Sequence, residues 1–69
     1  MKKIDVVKAA EEGITNNLEN KRVRFDGRSL IVKAVEFFTD LNCGLHARIT
    51  GRDGSVIEPL RGVEIEVED

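Results

Sequence analysis

From residue 21 onward the chain alternates apolar and polar side chains with a period of two, and turn sequences punctuate the alternation. Arg22-Val23-Arg24-Phe25 runs into Asp26-Gly27, a pair suited to a two-residue hairpin because both turn positions need positive φ. After the turn Asn42-Cys43-Gly44, the run Leu45-His46-Ala47-Arg48-Ile49-Thr50 alternates again. Gly51-Arg52-Asp53-Gly54 then turns the chain back into Ser55-Val56-Ile57-Glu58. Pro59 ends that run because it cannot donate to a ladder, and Leu60-Arg61-Gly62 connects to Val63-Glu64-Ile65-Glu66-Val67-Glu68. The last run puts valine and isoleucine on one face and glutamate on the other.

The stretch from Ser29 to Phe38 admits two readings. A helix would group Leu30, Ala34, Phe38 and Leu41. A strand fits the β-branched and aromatic content and supplies the antiparallel partner that the Asp26-Gly27 turn requires. The strand is favoured. It would send Leu30, Val32, Ala34 and Phe38 one way and Ile31, Val35 and Phe37 the other. One of these faces forms the core of so small a sheet, so the other needs a cover.

The N-terminal segment offers that cover. Ile4, Val7, Ala10, Ile14 and Leu18 recur at three- and four-residue steps, the pattern of one helical face, with Asp5 in the first turn. A partner or a second copy of the chain is the alternative cover. Gly13 leaves the helix end open: it is either an interior glycine or the left-handed residue that stops the helix.

Together these elements predict an α+β domain, with an N-terminal helix packed on a small, strongly bent five-stranded antiparallel sheet. Residues 1–69 make a single domain, the helix and its connector in 1–20 and the sheet in 21–69. Residues 21–67 resemble an SH3-like small barrel, through the two hairpins and the Pro59-Leu60-Arg61-Gly62 turn into a last strand. SH3 domains that take proline-rich peptides use a Tyr and Trp groove, and this chain has neither residue. The resemblance therefore carries the architecture and not that ligand.

Composition narrows the function classes. A 69-residue chain buries a thin core, and one cysteine makes no internal disulfide. Cys43 and His46 supply two soft ligands where structural zinc takes four, and no third group in the spacing makes them a catalytic dyad. Gly51-Arg52-Asp53-Gly54 lacks the ending and the following helix of a phosphate loop. No cofactor, metal or catalytic residue is expected. Leu30-Ile31-Val32 is the longest aliphatic run, far short of a membrane span, and Asp5 breaks any signal-like segment after Lys2-Lys3. With one free cysteine, a reducing cytoplasm is the expected compartment.

Two charged features remain. Lys21, Arg22, Arg24 and Arg28 form the one basic cluster, on a hairpin that could meet phosphates. Against that reading, the net charge is −2 and the three Phe residues are needed for a core. Glu64, Glu66 and Glu68 form an acidic stripe with two readings: an interface for a protein partner, or charge that keeps an edge strand from aggregating. The expected function is a small non-enzymatic protein-binding or adaptor module, with a homodimer as one form of contact. The alternative is a nucleic-acid-binding accessory using hairpin 21–28.

Overall fold

A computed structural model describes residues 2–14, 17–42 and 44–68. Six strands and one helix follow in the order β1 (Lys2–Ile4), α1 (Val6–Glu11), β2 (Arg22–Phe25), β3 (Arg28–Thr39), β4 (Leu45–Gly51), β5 (Val56–Ile57) and β6 (Ile65–Val67). All pairings are antiparallel, and the sheet order is β1-β6-β2-β3-β4-β5. The result is a small sheet-rich domain of a shape compatible with a small barrel.

This corrects the expected fold class. Strand accounts for 48% of the described residues and helix for 9%, so a six-stranded antiparallel sheet replaces the five-stranded sheet with a packed N-terminal helix. The cause lies at Ile4. It pairs with Ile65 across β1 and β6, and that long-range partner outweighs its place in the helical stripe. The helix begins only after Asp5, whose Oδ1 accepts the Lys8 N–H at 3.0 Å. Its other carboxylate oxygen accepts the Gly62 N–H at 2.9 Å, tying the helix start to the turn before β6.

Gly13 stops the helix. Its φ is 77°, the Gly13 N–H bonds Ala10 O at 3.1 Å, and the Ile14 N–H reaches back to Ala9 O at 2.9 Å. These are the two bonds of a Schellman ending, which places a left-handed residue where only glycine sits without strain. Of the stripe, Val7 and Leu18 are buried, whereas Ile14 is 54% exposed. The expected helical cover is thus reduced to Val6 and Val7, which join the core beside Ile49.

Residues 28–39 form one strand, as the hairpin demanded. Asp26 and Gly27 both take positive φ, 51° and 75°, and Phe25 pairs with Arg28 around them. The strand's faces differ from the simple alternation. A bulge between Val32 and Ala34 shifts the register by one residue, so that Leu30, Val32 and then Val35 all serve one core while Ala34 turns outward. The apparently two-faced apolar strand is a single-faced strand with a kink. With β2, β6, β4 and β5 around it, the core gathers Val23, Ile49, Ile57, Ile65 and Val67.

Candidate functional site

The acidic stripe and the basic hairpin lie against each other. Register places Arg24 opposite Glu66, and the Glu68 N–H bonds Arg22 O at 2.9 Å. Their side chains follow, with Arg24–Glu66 and Arg22–Glu68 both at 3.9 Å on the outer face of the sheet. Exposed pairs of this kind contribute up to about 1 kcal/mol each and are screened by salt. Their larger effect here is on recognition, because each cluster already faces opposite charge from its own chain. Lys3 lies opposite Glu66 on the other side, in β1.

The edge-protection reading of the glutamates is also corrected. β6 lies between β1 and β2, so it has no free edge to protect. Glu64 precedes the strand and is exposed. Lys21 and Arg28 are exposed at the two ends of hairpin 21–28, on the flanks of the Arg22 and Arg24 pair. Arg52, from the β4–β5 turn, bonds Asn20 Oδ1 beside them.

Cys43 lies outside the described residues. His46 sits on the outer face of β4, with Nε2 hydrogen-bonded to Asp40 Oδ2 at 2.7 Å. Its ring stacks on that of Phe38, centroids 5.3 Å apart, and the Arg48 guanidinium lies 5.0 Å from the Phe38 ring. Among the described residues no three His, Cys, Asp or Glu side chains gather as metal ligands.

Asp40 organises the loop after β3. Its Oδ1 accepts the N–H groups of Asn42 and Gly44, each at 2.9 Å. The His46 bond, followed by the Gly44 N–H, holds its carboxyl below the ordinary value of 3.8. Asp53 is lowered likewise, by the Ser55 N–H and hydroxyl. In both cases the folded state favours the carboxylate. The stabilisation is therefore complete above the unfolded value and is lost as pH falls through the lowered folded values. Between roughly pH 5 and pH 2, the melting temperature is expected to fall less steeply in an Asp40→Asn, Asp53→Asn variant than in the unmodified chain. Parallel pH profiles would remove the two loops from the account of acid unfolding.

The sequence reading gave the second apolar face of residues 29–38 to the N-terminal helix first, and to a partner or a second copy as the alternative. It placed all three Phe residues in the core, but only Phe25 packs there, while Phe37 and Phe38 are exposed. The reason is length. β3 has 12 residues and β2 has 4, so β3 runs on with β4 beyond the layer that covers its first part. Phe37 is 47% exposed, and Leu41 at the tip is 102% exposed. Beside this arm is a groove of about 320 Å³, lined by Val6, Ala10, Ile14, Leu18, Val35 and Phe37. The signal for it was present in the unusual apolar density of residues 30–38.

Among known proteins, no family model, no curated protein and no solved structure matches the chain.

Proposed function

We propose that the protein is a small binding module that acts by protein–protein contact rather than by catalysis, through the apolar end formed by the β3–β4 arm and the groove beside it. The observation that carries this reading is that Ile14 and Phe37, each more than two-fifths exposed, line one groove, with Leu41 fully exposed at the tip of the same arm, in a chain with few large apolar residues to spare. Exposed apolar surface gathered in one place marks an interaction site more often than isolated side chains do. In this reading the glutamates 64, 66 and 68 set the charge around the contact rather than forming it.

An SH3-like barrel is the architecture that suits such a module. In its favour are the β2–β5 meander, the bulged β3 that serves both halves of the sheet, and β6 returning beside β2 after the turn at residues 60–62. The proline-rich ligand of some SH3 domains is excluded from the proposal by the lack of Tyr and Trp. A reducing compartment is proposed on the strength of the one cysteine. Among the described residues no helix is long and apolar enough to cross a membrane.

Nucleic-acid binding through hairpin 21–28 is the second reading. It has the four basic side chains in its favour, and the Glu66 and Glu68 pairs against it.

The test is capture from a host lysate on the chain immobilised at low density. Phe37→Asp is expected to abolish specific recovery, while Arg22→Gln with Arg24→Gln leaves it unchanged. If the arginine variant loses binding, recovery falls steeply with salt and Phe37→Asp still binds, the nucleic-acid reading takes its place.

A further inference from the structure

Among the described residues, nothing pairs with the backbone edge of the outer half of β3 that faces away from β4. Arg28–Ile31 pair with β2, and Val32 exchanges bonds with Asn20 and Lys21, but beyond the bulge β4 is the only partner of β3 among the described residues. The Asp40 N–H bonds Gly44 O at 3.1 Å, and the Gly51 N–H bonds Ser55 O at 2.7 Å. These two bonds fix which way the backbone groups point, because alternate residues of an antiparallel ladder face the same side. Ala34, Glu36 and Phe38 direct their N–H and C=O at β4. Val35, Phe37 and Thr39 direct theirs away from it. No turn or loop backbone bond reaches these three from the described residues. Their side chains stand on the core side of the sheet, where Val35 and Phe37 line the groove.

We infer that this edge pairs with the same edge of a second copy of the chain, antiparallel, about a two-fold axis at Phe37. The inference rests on the protein–protein reading above and names its partner. An isologous contact of this kind needs a self-complementary patch, and the register supplies one. With the axis at Phe37, Val35 faces the second copy's Thr39, Phe37 faces its counterpart, and Thr39 faces Val35. All three pairs are edge-directed, so each N–H and C=O of the set finds a partner.

Neighbouring registers fail on charge. An axis at Glu36 sets two glutamates directly opposite, and an axis at Phe38 sets Glu36 opposite Asp40. Like charges at these close, non-hydrogen-bonded positions are destabilising. Axes nearer the ends run the edge into the β2 hairpin or the loop after Thr39. The Phe37 register instead puts Glu36 opposite Phe38. It brings Lys33 within one residue of the second copy's Asp40, so opposite charges meet at both ends of the contact. Leu41 then passes residue 33 of the other copy, toward the groove, which gives the most exposed leucine of the chain an apolar neighbour. The two β3-β4-β5 halves become one continuous six-stranded sheet.

The experiment is sedimentation equilibrium over a concentration series, with amide hydrogen exchange read by NMR on the same samples. The expected result is a mass that doubles with concentration while the amides of Val35, Phe37 and Thr39 gain protection in step. Those of Ala34, Glu36 and Phe38 are protected throughout. Thr39→Pro removes an N–H from this edge without removing a β3–β4 bond, a position where strands tolerate proline. It is expected to raise the dimer dissociation constant about tenfold or more, the loss of two interfacial hydrogen bonds. The exchange pattern of the unmodified chain gives the answer even if that variant folds poorly. A chain that stays monomeric with rapid exchange at the three amides overturns the inference, as does a dimer whose new protection falls on Lys2–Ile4 or Val56–Ile57. A monomer that still captures protein in a Phe37-dependent way overturns the second copy alone and leaves the binding-module reading standing.

Discussion

Val7→Asp is expected to abolish the cooperative thermal transition, whereas Ile14→Asp shifts the melting temperature by no more than a few degrees. The two residues share one stripe in the sequence and differ completely in environment. Val7 is 1% exposed and packs among the core residues of the sheet. A carboxylate there loses its water and meets no cation, because no polar or charged side chain among the described residues is buried with it. Such a burial costs several kcal/mol. A core of this size rarely supplies more than about 3–5 kcal/mol in total, so the folded state has little to lose. On the six-residue helix Val6 is the one other buried side chain that would hold it to the core if Val7 is expelled. Ile14 follows the Gly13 stop and opens onto the groove, where a carboxylate keeps its hydration. Circular dichroism melts of both variants check the pair. A lost transition in Ile14→Asp would put that residue in the core.

The contrast shows what the sequence could and could not convey. Local patterns were legible where the cause was local. Asp26-Gly27 demands two positive φ values, and the hairpin formed around it, carrying residues 28–39 into a strand. Gly13 held both possible outcomes, and the Schellman bonds decided for the stop. The failures came where a distant partner decided. Ile4 fits a helix at its spacing from Val7, yet Ile65, sixty-one positions away, draws it into β1. The edge assigned to the glutamates vanished for the same reason, since β1 covers the side of β6 that β2 leaves open. The bulge after Val32 reversed the faces of β3, so period-two counting grouped Ala34 and Phe38 with Leu30 and Val32, when they face away from that side. The candidate contact surface was hidden by that one-residue shift together with the excess length of β3 over β2.

The strand that was easiest to read now gives the sharpest difference between neighbouring positions. Ile65→Ala is expected to cost about 2–5 kcal/mol, as isoleucine-to-alanine changes do at filled core sites. Ile65 is 0% exposed, faces Ile4 across β1, and lies two residues from buried Val67. The sheet is anchored on both sides of β6, so it cannot collapse into the space without shifting β1 or β2. Glu66→Gln with Glu68→Gln should cost no more than about 1–2 kcal/mol in sum, because both pairs are exposed and 3.9 Å apart. Denaturant unfolding measures both. In high salt the glutamine variant and the unmodified chain should converge, since screening has already weakened the pairs, whereas the loss in Ile65→Ala persists at every ionic strength. If the glutamine variant unfolds as readily as Ile65→Ala, the ladder of arginine and glutamate holds β6 in place, and the weight assigned here to the apolar face is wrong. If it keeps its stability but gains affinity for nucleic acid, the glutamates are what keep Arg22 and Arg24 from phosphates, and the basic hairpin is a site held in check by its own chain.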